Sequence, residues 1–400
     1  MAINSKQRQR NILGKIRVLD LSRILAGPFC TQILSDQGAE VIKLESPDGD
    51  ETRRWGPPFC NRKSAYFAGV NRNKKSIVLD LREKISLKVL HQLLSKSDVL
   101  IENFKFGDLK KFGISERVLK SKYPRLIHCQ ISGFGASSEF RSFPGYDAAI
   151  QAWSGLMSIN GSVEATKVGV PIVDLVTGQN CAFAIMAALF EREFSGRGQK
   201  IETSLIENAF SILHPQASNY FFSKKAPARL GNTHPNIAPY DMFQTKKLGI
   251  YIACGNDRQF QILCRTIKAK NLGEDLRFQS NELRLKNRVA LQKNLQKFIG
   301  QYEARPLALR LLKSGVPAGP ALELPEALRQ KQVLSLGVVQ KGKDESFIMP
   351  PFQFSRYKRK KMTSSPELGA HSLSILETLD LSSLEVEKIL LQQRRQKSER

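Results

Sequence analysis

Short runs of β-branched and aliphatic residues recur along the first third of the chain, at 16–21, 39–44, 76–81, 98–102 and 126–131. Each predicts a strand. Between them apolar positions return with a helical period, first from Gly27-Pro28 through Gln37 and again over 83–95. Proline at the opening and glycine (Gly38) just past the end are the boundaries a helix favours. Strands alternating with helices predict a doubly wound, parallel α/β sheet. The pattern changes beyond Asp174, where an apolar helical stretch of about twenty residues runs to Phe194. A turn at 196–199, a short strand at 200–203 and a helix opening at Ser204 follow.

The stretch 223–232, rich in Lys, Arg, Ala and Gly, reads as a linker. Beyond it a strand near 250–254 and helices near 259–267, 287–298 and 306–313 predict a smaller α+β unit. A chain of 400 residues suggests more than one core. The expected organisation is a large α/β domain over 1–222, a linker over 223–239 and a small domain over 240–330. The remainder, 331–400, is expected to return to the large domain.

Composition narrows the chemistry. No run is expected to reach the roughly 18 to 20 apolar residues a bilayer span needs, so no membrane association is expected. Cys30, Cys60, Cys129, Cys181, Cys254 and Cys264 are scattered without a C-x-x-C pair. That spacing fits free thiols in a reducing compartment, and neither cysteines nor histidines suggest a metal. The net charge is +25, with basic clusters at 105–125, 358–361 and 394–397. Excess positive charge favours polyanionic partners or is simply a solvated surface. Aromatic RNA-binding signatures, zinc fingers and basic zippers are missing, so nucleic acid is not the expected partner. The first ten residues are basic without an apolar core, which argues against secretion. The cytoplasm is the expected location, with a short mitochondrial presequence as the alternative for a eukaryotic chain.

G-x-G-x-x-G after the first strand, Walker A, G-x-S-x-G and H-E-x-x-H are all missing. Ordinary dehydrogenase, NTPase and α/β-hydrolase chemistry is set aside on that ground. What stands out is Asp174, a lone carboxylate in the apolar run Pro171-Ile172-Val173-Asp174-Leu175-Val176. An acid in such surroundings must find partners or shift its pKa. It is either a helix N-cap or a nucleophile able to attack a carbonyl and form an acyl intermediate.

Several segments in order carry a resemblance. They are Arg23-Ile24-Leu25-Ala26-Gly27-Pro28, Gly38-Ala39-Glu40-Val41-Ile42-Lys43-Leu44-Glu45, Asn71-Arg72-Asn73-Lys74-Lys75-Ser76 and Glu102-Asn103-Phe104. Gly145-Tyr146-Asp147, Gly196-Arg197-Gly198-Gln199, Gly315-Val316-Pro317-Ala318-Gly319-Pro320, Pro351-Phe352 and Leu368-Gly369-Ala370-His371 continue them. Together, from about residue 14 to 389, they resemble the class III CoA-transferases of the formyl-CoA and carnitine-CoA transferase type. The resemblance implies a Rossmann-like large domain, an interlocked homodimer crossing near 223–232, and acyl-CoA as substrate with no permanently bound cofactor. It makes Asp174 the catalytic nucleophile. It places Leu25, Ala26, Ser46, Leu79, Arg82, Asn103, Phe104, Lys105, Lys111 and Tyr146 around CoA, with Arg82, Lys105 and Lys111 toward its phosphates. The Leu25-Ala26-Gly27 backbone is a candidate oxyanion donor.

Departures refine the expectation. Racemases sharing this fold need a histidine where Tyr146 stands, so transferase is favoured over racemase. No glycine-rich flap follows residue 225, unlike the oxalate-specific branch. Trp55-Gly56-Pro57-Pro58-Phe59 and Gly231-Asn232-Thr233-His234-Pro235 are similar to the succinyl-CoA:glutarate branch. There His234 either holds an acceptor carboxylate or serves a structural hydrogen bond. A racemase-like enzyme and a non-catalytic basic binding protein on the same fold are the alternatives.

Overall fold

A computed structural model of the chain describes residues 11–342, 345–357 and 361–398. The basic first ten residues, with any presequence, and 358–360 of the second basic cluster lie outside them. The described residues form two compact units, one from the segments 11–154, 168–212 and 337–398 and the other of 155–167 and 213–336. The smaller unit thus takes in 155–167 and begins before the linker expected at 223–239.

The larger unit is built on six strands: β1 (Arg17–Asp20), β2 (Glu40–Glu45), β3 (Lys75–Val78), β4 (Val99–Glu102), β5 (Ile127–Ser132) and β6 (Lys200–Ser204). All neighbouring pairs are parallel, in the spatial order β3-β2-β1-β4-β5-β6. This is the doubly wound, Rossmann-like order, in which the direction of winding reverses between β1 and β4. Central strands are apolar on both faces because both are covered; Val18, Leu19, Val99, Leu100, Ile101 and Ile127 are wholly buried.

Seven helices matter to the site: α1 (Ala26–Asp36), α2 (Ala65–Asn71), α3 (Lys84–Ser95), α4 (Glu116–Lys122), α5 (Asp147–Trp153), α6 (Ile172–Ser195) and α7 (Leu205–Ser211). Helix α1 starts two residues before Pro28, which therefore sits in the first turn, where a missing N–H costs no intrahelical bond. Gly38, at φ 100°, releases the chain into β2. Leucines of α3 pack on Leu19, Ile42, Ile77 and Leu100, and Ile375, Leu376 and Ile389 from the C-terminal segment join the same core.

Helix α6 corrects two expectations. It begins at Ile172, so Asp174 lies inside its first turn rather than ahead of it. With 24 residues it is also long and apolar enough by length and composition to cross a bilayer, although half of its most apolar window is packed inside the protein. Its outer face carries Phe183, Met186, Phe190 and Phe194, all exposed.

The smaller unit has a three-stranded antiparallel sheet of β7 (Tyr240–Gln244), β8 (Gly249–Ala253) and β9 (Ala318–Pro320), with β8 central. Helices α8 (Asp257–Thr266), α9 (Arg288–Ile299) and α10 (Ala304–Lys313) supply its core, with Phe243, Ile250, Ile252, Phe260, Leu263, Leu295 and Leu311 fully buried. Arg284 is buried completely among them.

Candidate active site

In a doubly wound sheet the loops at the carboxyl ends of β1 and β4 part company, and the crevice between them receives the ligand. Here that crevice is stitched by a two-way contact. The Arg23 N–H donates to Asn103 Oδ1 and Asn103 Nδ2 donates to the Arg23 carbonyl, both at 2.9 Å. Beside it lies a cavity of about 240 Å³, walled by residues after β1 (23–26) and β4 (103–106), by the end of β5 with the glycine that follows it (131–133), by Leu205 after β6, and by 141, 143–146, Glu51 and Asp174.

Asp174 is only 7% exposed. Pro171 precedes α6 and no side chain of its own caps it; the cap comes from a distant segment. Asp147 Oδ1 accepts the N–H groups of Val173 (2.8 Å) and Asp174 (3.2 Å), while its Oδ2 accepts Gln151 Nε2 at 2.6 Å. Asp147 thus takes the capping role and leaves the Asp174 carboxylate uncommitted: among the described residues none hydrogen-bonds or ion-pairs with it. Burial, and then the negative charge of Asp147, push the Asp174 carboxyl up to about 7. Burial, and then the negative charges of Asp174, Asp147 and Asp50, push the Tyr66 phenol on α2 up to about 12, so Tyr66 is a neutral hydroxyl near them.

Glycines bring the groups together. A Cβ at Gly178, one turn past Asp174, would lie 2.7 Å from the Ala26 carbonyl, so glycine there lets α6 press against the start of α1. A Cβ at Gly27 would lie 2.3 Å from Ser22 Oγ, so only glycine fits the sharp entry into α1. No side chain caps α1. Its first-turn N–H groups, beside the cavity-lining Leu25 and Ala26, form a partially positive edge where an oxyanion would be stabilised.

The structure brings Leu25, Ala26, Asn103, Phe104, Lys105 and Tyr146 into one cavity with Asp174. Other expected contacts lie outside its lining. Leu79 is 1% exposed in the core, so its side chain cannot meet a ligand. Arg82 forks onto Asp80 at 2.8 and 2.6 Å, and Lys111 pairs with Asp108 at 2.6 Å. Ser46 is exposed just after β2. His234 belongs to the smaller unit, stacked on Tyr240 with ring centroids 4.9 Å apart and accepting the Asn236 N–H on Nδ1 at 3.1 Å. Arg23, Phe106, Arg141 and Phe143 in the cavity wall, and Tyr66 beside it, carried no signal in the sequence that marked them for the site. Asp147, which ends the Gly145-Tyr146-Asp147 motif, was expected near CoA with Gly145 and Tyr146 but not as the cap of α6. Among the described residues no cluster of three or more His, Cys, Asp or Glu is placed to hold a metal.

The model of CoA-transferase family III matches residues 13–372. The chain belongs to the family III CoA-transferases. It is 37% identical to an Agrobacterium fabrum succinate–glutarate CoA-transferase, covering 92% of this chain and 96% of that one. It is 38% identical to a Mus musculus succinyl-CoA:glutarate CoA-transferase, covering 94% and 89%. A solved CaiB/BaiF family protein from Brucella suis superposes with a TM-score of 0.85 at 39% identity, covering 93% of this chain and all of that one. For a CoA-transferase the cavity has the parts the chemistry needs. It holds an unpartnered carboxylate, the first-turn amides of α1 beside Leu25 and Ala26, and two cations in its wall, Lys105 and Arg141.

Proposed function

We propose that this CoA-transferase moves CoA from succinyl-CoA to a free dicarboxylic acid, glutarate first, through covalent intermediates on Asp174. The observation that carries the reading is the buried, unpartnered Asp174 carboxylate in a cavity at the switch point of the sheet. The names of the two curated relatives supply the acids.

Asp174 attacks the thioester carbonyl; the C–S bond breaks, CoA leaves as thiolate, and a mixed anhydride remains. The thiolate then attacks the aspartyl carbonyl and expels succinate, giving an aspartyl-CoA thioester. The acceptor carboxylate attacks that thioester and releases the thiolate again. Attack of the thiolate on the acceptor's carbonyl forms the new acyl-CoA and returns Asp174 as carboxylate. One thioester is consumed and one is formed overall, so the exchange needs no ATP; the covalent anhydride and aspartyl-CoA stages split it into smaller steps. Each tetrahedral stage places negative charge on oxygen, which the amide edge of α1 is placed to meet. Tyr146 offers no imidazole for removing an α-proton, which disfavours a racemase.

Mass spectrometry of the protein with succinyl-CoA and a panel of free acids tests this. Glutaryl-CoA and succinate should appear together in equal amounts. Transfer to no acid despite bound CoA, or α-proton exchange in deuterium oxide instead, would overturn it.

A second copy of this chain is the proposed cover for the exposed apolar stripe of α6. The stripe borders an apolar cavity of about 710 Å³ between α1, α6 and residues 348–354. A row of exposed phenylalanines of this kind supports an interface. Light scattering should give a particle of twice the 45.0 kDa chain mass. A persistent monomer at micromolar concentration would refute the dimer.

A further inference from the structure

The turn from β1 into α1 is where dinucleotide-binding folds place glycines. This chain puts Ile24 there, at φ 72°. A β-branched residue in the left-handed region is strained, and such strain persists only where surroundings impose it. What imposes it here is charge. Asp50 accepts the Ile24 N–H on both carboxylate oxygens, at 3.2 and 3.4 Å. The same carboxylate is paired with Lys43 Nζ at 2.9 Å, both side chains being wholly buried. Lys43 Nζ also donates to the Ser22 carbonyl at 2.8 Å. One ammonium therefore grips the turn directly at Ser22 and, through Asp50, at Ile24. Asp50 is itself fixed by Thr52, whose N–H and Oγ1 donate to it at 3.0 and 2.7 Å, and by its own N–H to Glu45 Oε2 at 3.1 Å.

We propose that the buried Lys43–Asp50 pair is a positioning device for CoA transfer, holding Ile24 left-handed so that the amide edge at Leu25–Gly27 is set beside Asp174. Resting on the reading of Asp174 as the acylated group, this goes beyond it to the machinery behind the cavity. A buried ion pair adds little net stability compared with apolar residues of similar volume. An apolar pair would fill the space, yet it would offer no acceptor to the Ile24 N–H and no donor to Ser22. The next residues, Leu25 and Ala26, line the cavity, so a relaxed Ile24 would swing the amide edge away from the carboxylate it serves. Misplacement by about 1 Å costs on the order of a hundredfold in rate.

The test uses the full-length protein with Lys43→Met/Asp50→Leu, and Asp50→Asn, which keeps volume and one acceptor oxygen. The double variant should fold and bind CoA while kcat falls about a hundredfold, far more than KM rises; Asp50→Asn should lose about tenfold. Adding Ile24→Gly to either should recover much of the loss, since glycine adopts positive φ without being held. A crystal structure of the double variant should show residue 24 at negative φ. A folded variant with kcat close to the parent's, no recovery with Ile24→Gly, or a retained left-handed Ile24 would each overturn the proposal. If the double variant fails to fold, Asp50→Asn carries the kinetic comparison. If the parent moves CoA to no acid, the transfer reading fails instead, and the conformation of residue 24 still decides the clamp.

Discussion

Asp174→Asn lowers CoA transfer by about 10⁴-fold or more, the scale of losing a nucleophile, and at the same time makes the folded protein more stable at pH 8. Both effects come from the same burial. The folded carboxyl is raised to about 7, whereas an unfolded aspartate titrates near ~3.9. A raised folded value favours the folded state fully only below the unfolded pKa. That advantage is lost as pH climbs from about 4 to about 7, where the folded protein must carry a charge in apolar surroundings. Above that window the ionised group costs about 4 kcal/mol, at 1.36 kcal/mol per pKa unit, and a neutral amide of the same shape avoids this. Thermal melts at pH 8 and pH 4 should therefore show a gain for the variant at pH 8 that shrinks toward pH 4. In the parent, kcat/KM should rise about tenfold per pH unit below 7 and level off above it, as the attacking form is the carboxylate. Substantial transfer by the variant, or a flat profile between pH 5 and 8, would remove Asp174 from the mechanism.

Arg284→Met destabilises the smaller unit by about 3 to 5 kcal/mol, the scale for breaking a buried charged network from one side. The guanidinium is wholly buried and spends its fork inside that unit. Nε donates to the Ala238 carbonyl at 2.6 Å, Nη1 to that of Phe278 at 2.9 Å, and Nη2 to Asp257 Oδ1 at 2.6 Å. Its carbon also lies 4.8 Å from the centre of the Phe260 ring. Methionine preserves much of the volume, so the loss reports the two carbonyls left without donors rather than a cavity. Urea denaturation measures it; a change below about 1 kcal/mol would mean the carbonyls find other partners.

The sheet was legible because its strands are runs of Val, Ile and Leu at regular spacing, and such runs have few other uses. The site was legible only in part. Asn103 and Phe104 directly follow β4, and Leu25 and Ala26 sit at the end of the short turn from β1 into α1, so position after a strand carries them to the crevice. Asp174 could equally be a cap, because the residue that caps α6 lies 26 positions earlier in sequence from the N–H it accepts. Arg82 and Lys111 were basic in suitable places, but the neighbours that engage them, Asp80 and Asp108, are visible only as ordinary turn acids. Lys43 and Asp50 were least readable: a lysine within a strand looks like a solvent-facing position until the fold encloses it.

Helix α6 is one uninterrupted rod of 24 residues, about 36 Å long at 1.5 Å per residue. Asp174, the proposed nucleophile, is mounted in its first turn, and the exposed phenylalanines ride on its later turns. The proposed dimer face and the proposed nucleophile are therefore carried on a single shaft. No break in the helix separates them, so a substitution that shifted α6 along its axis would displace both together.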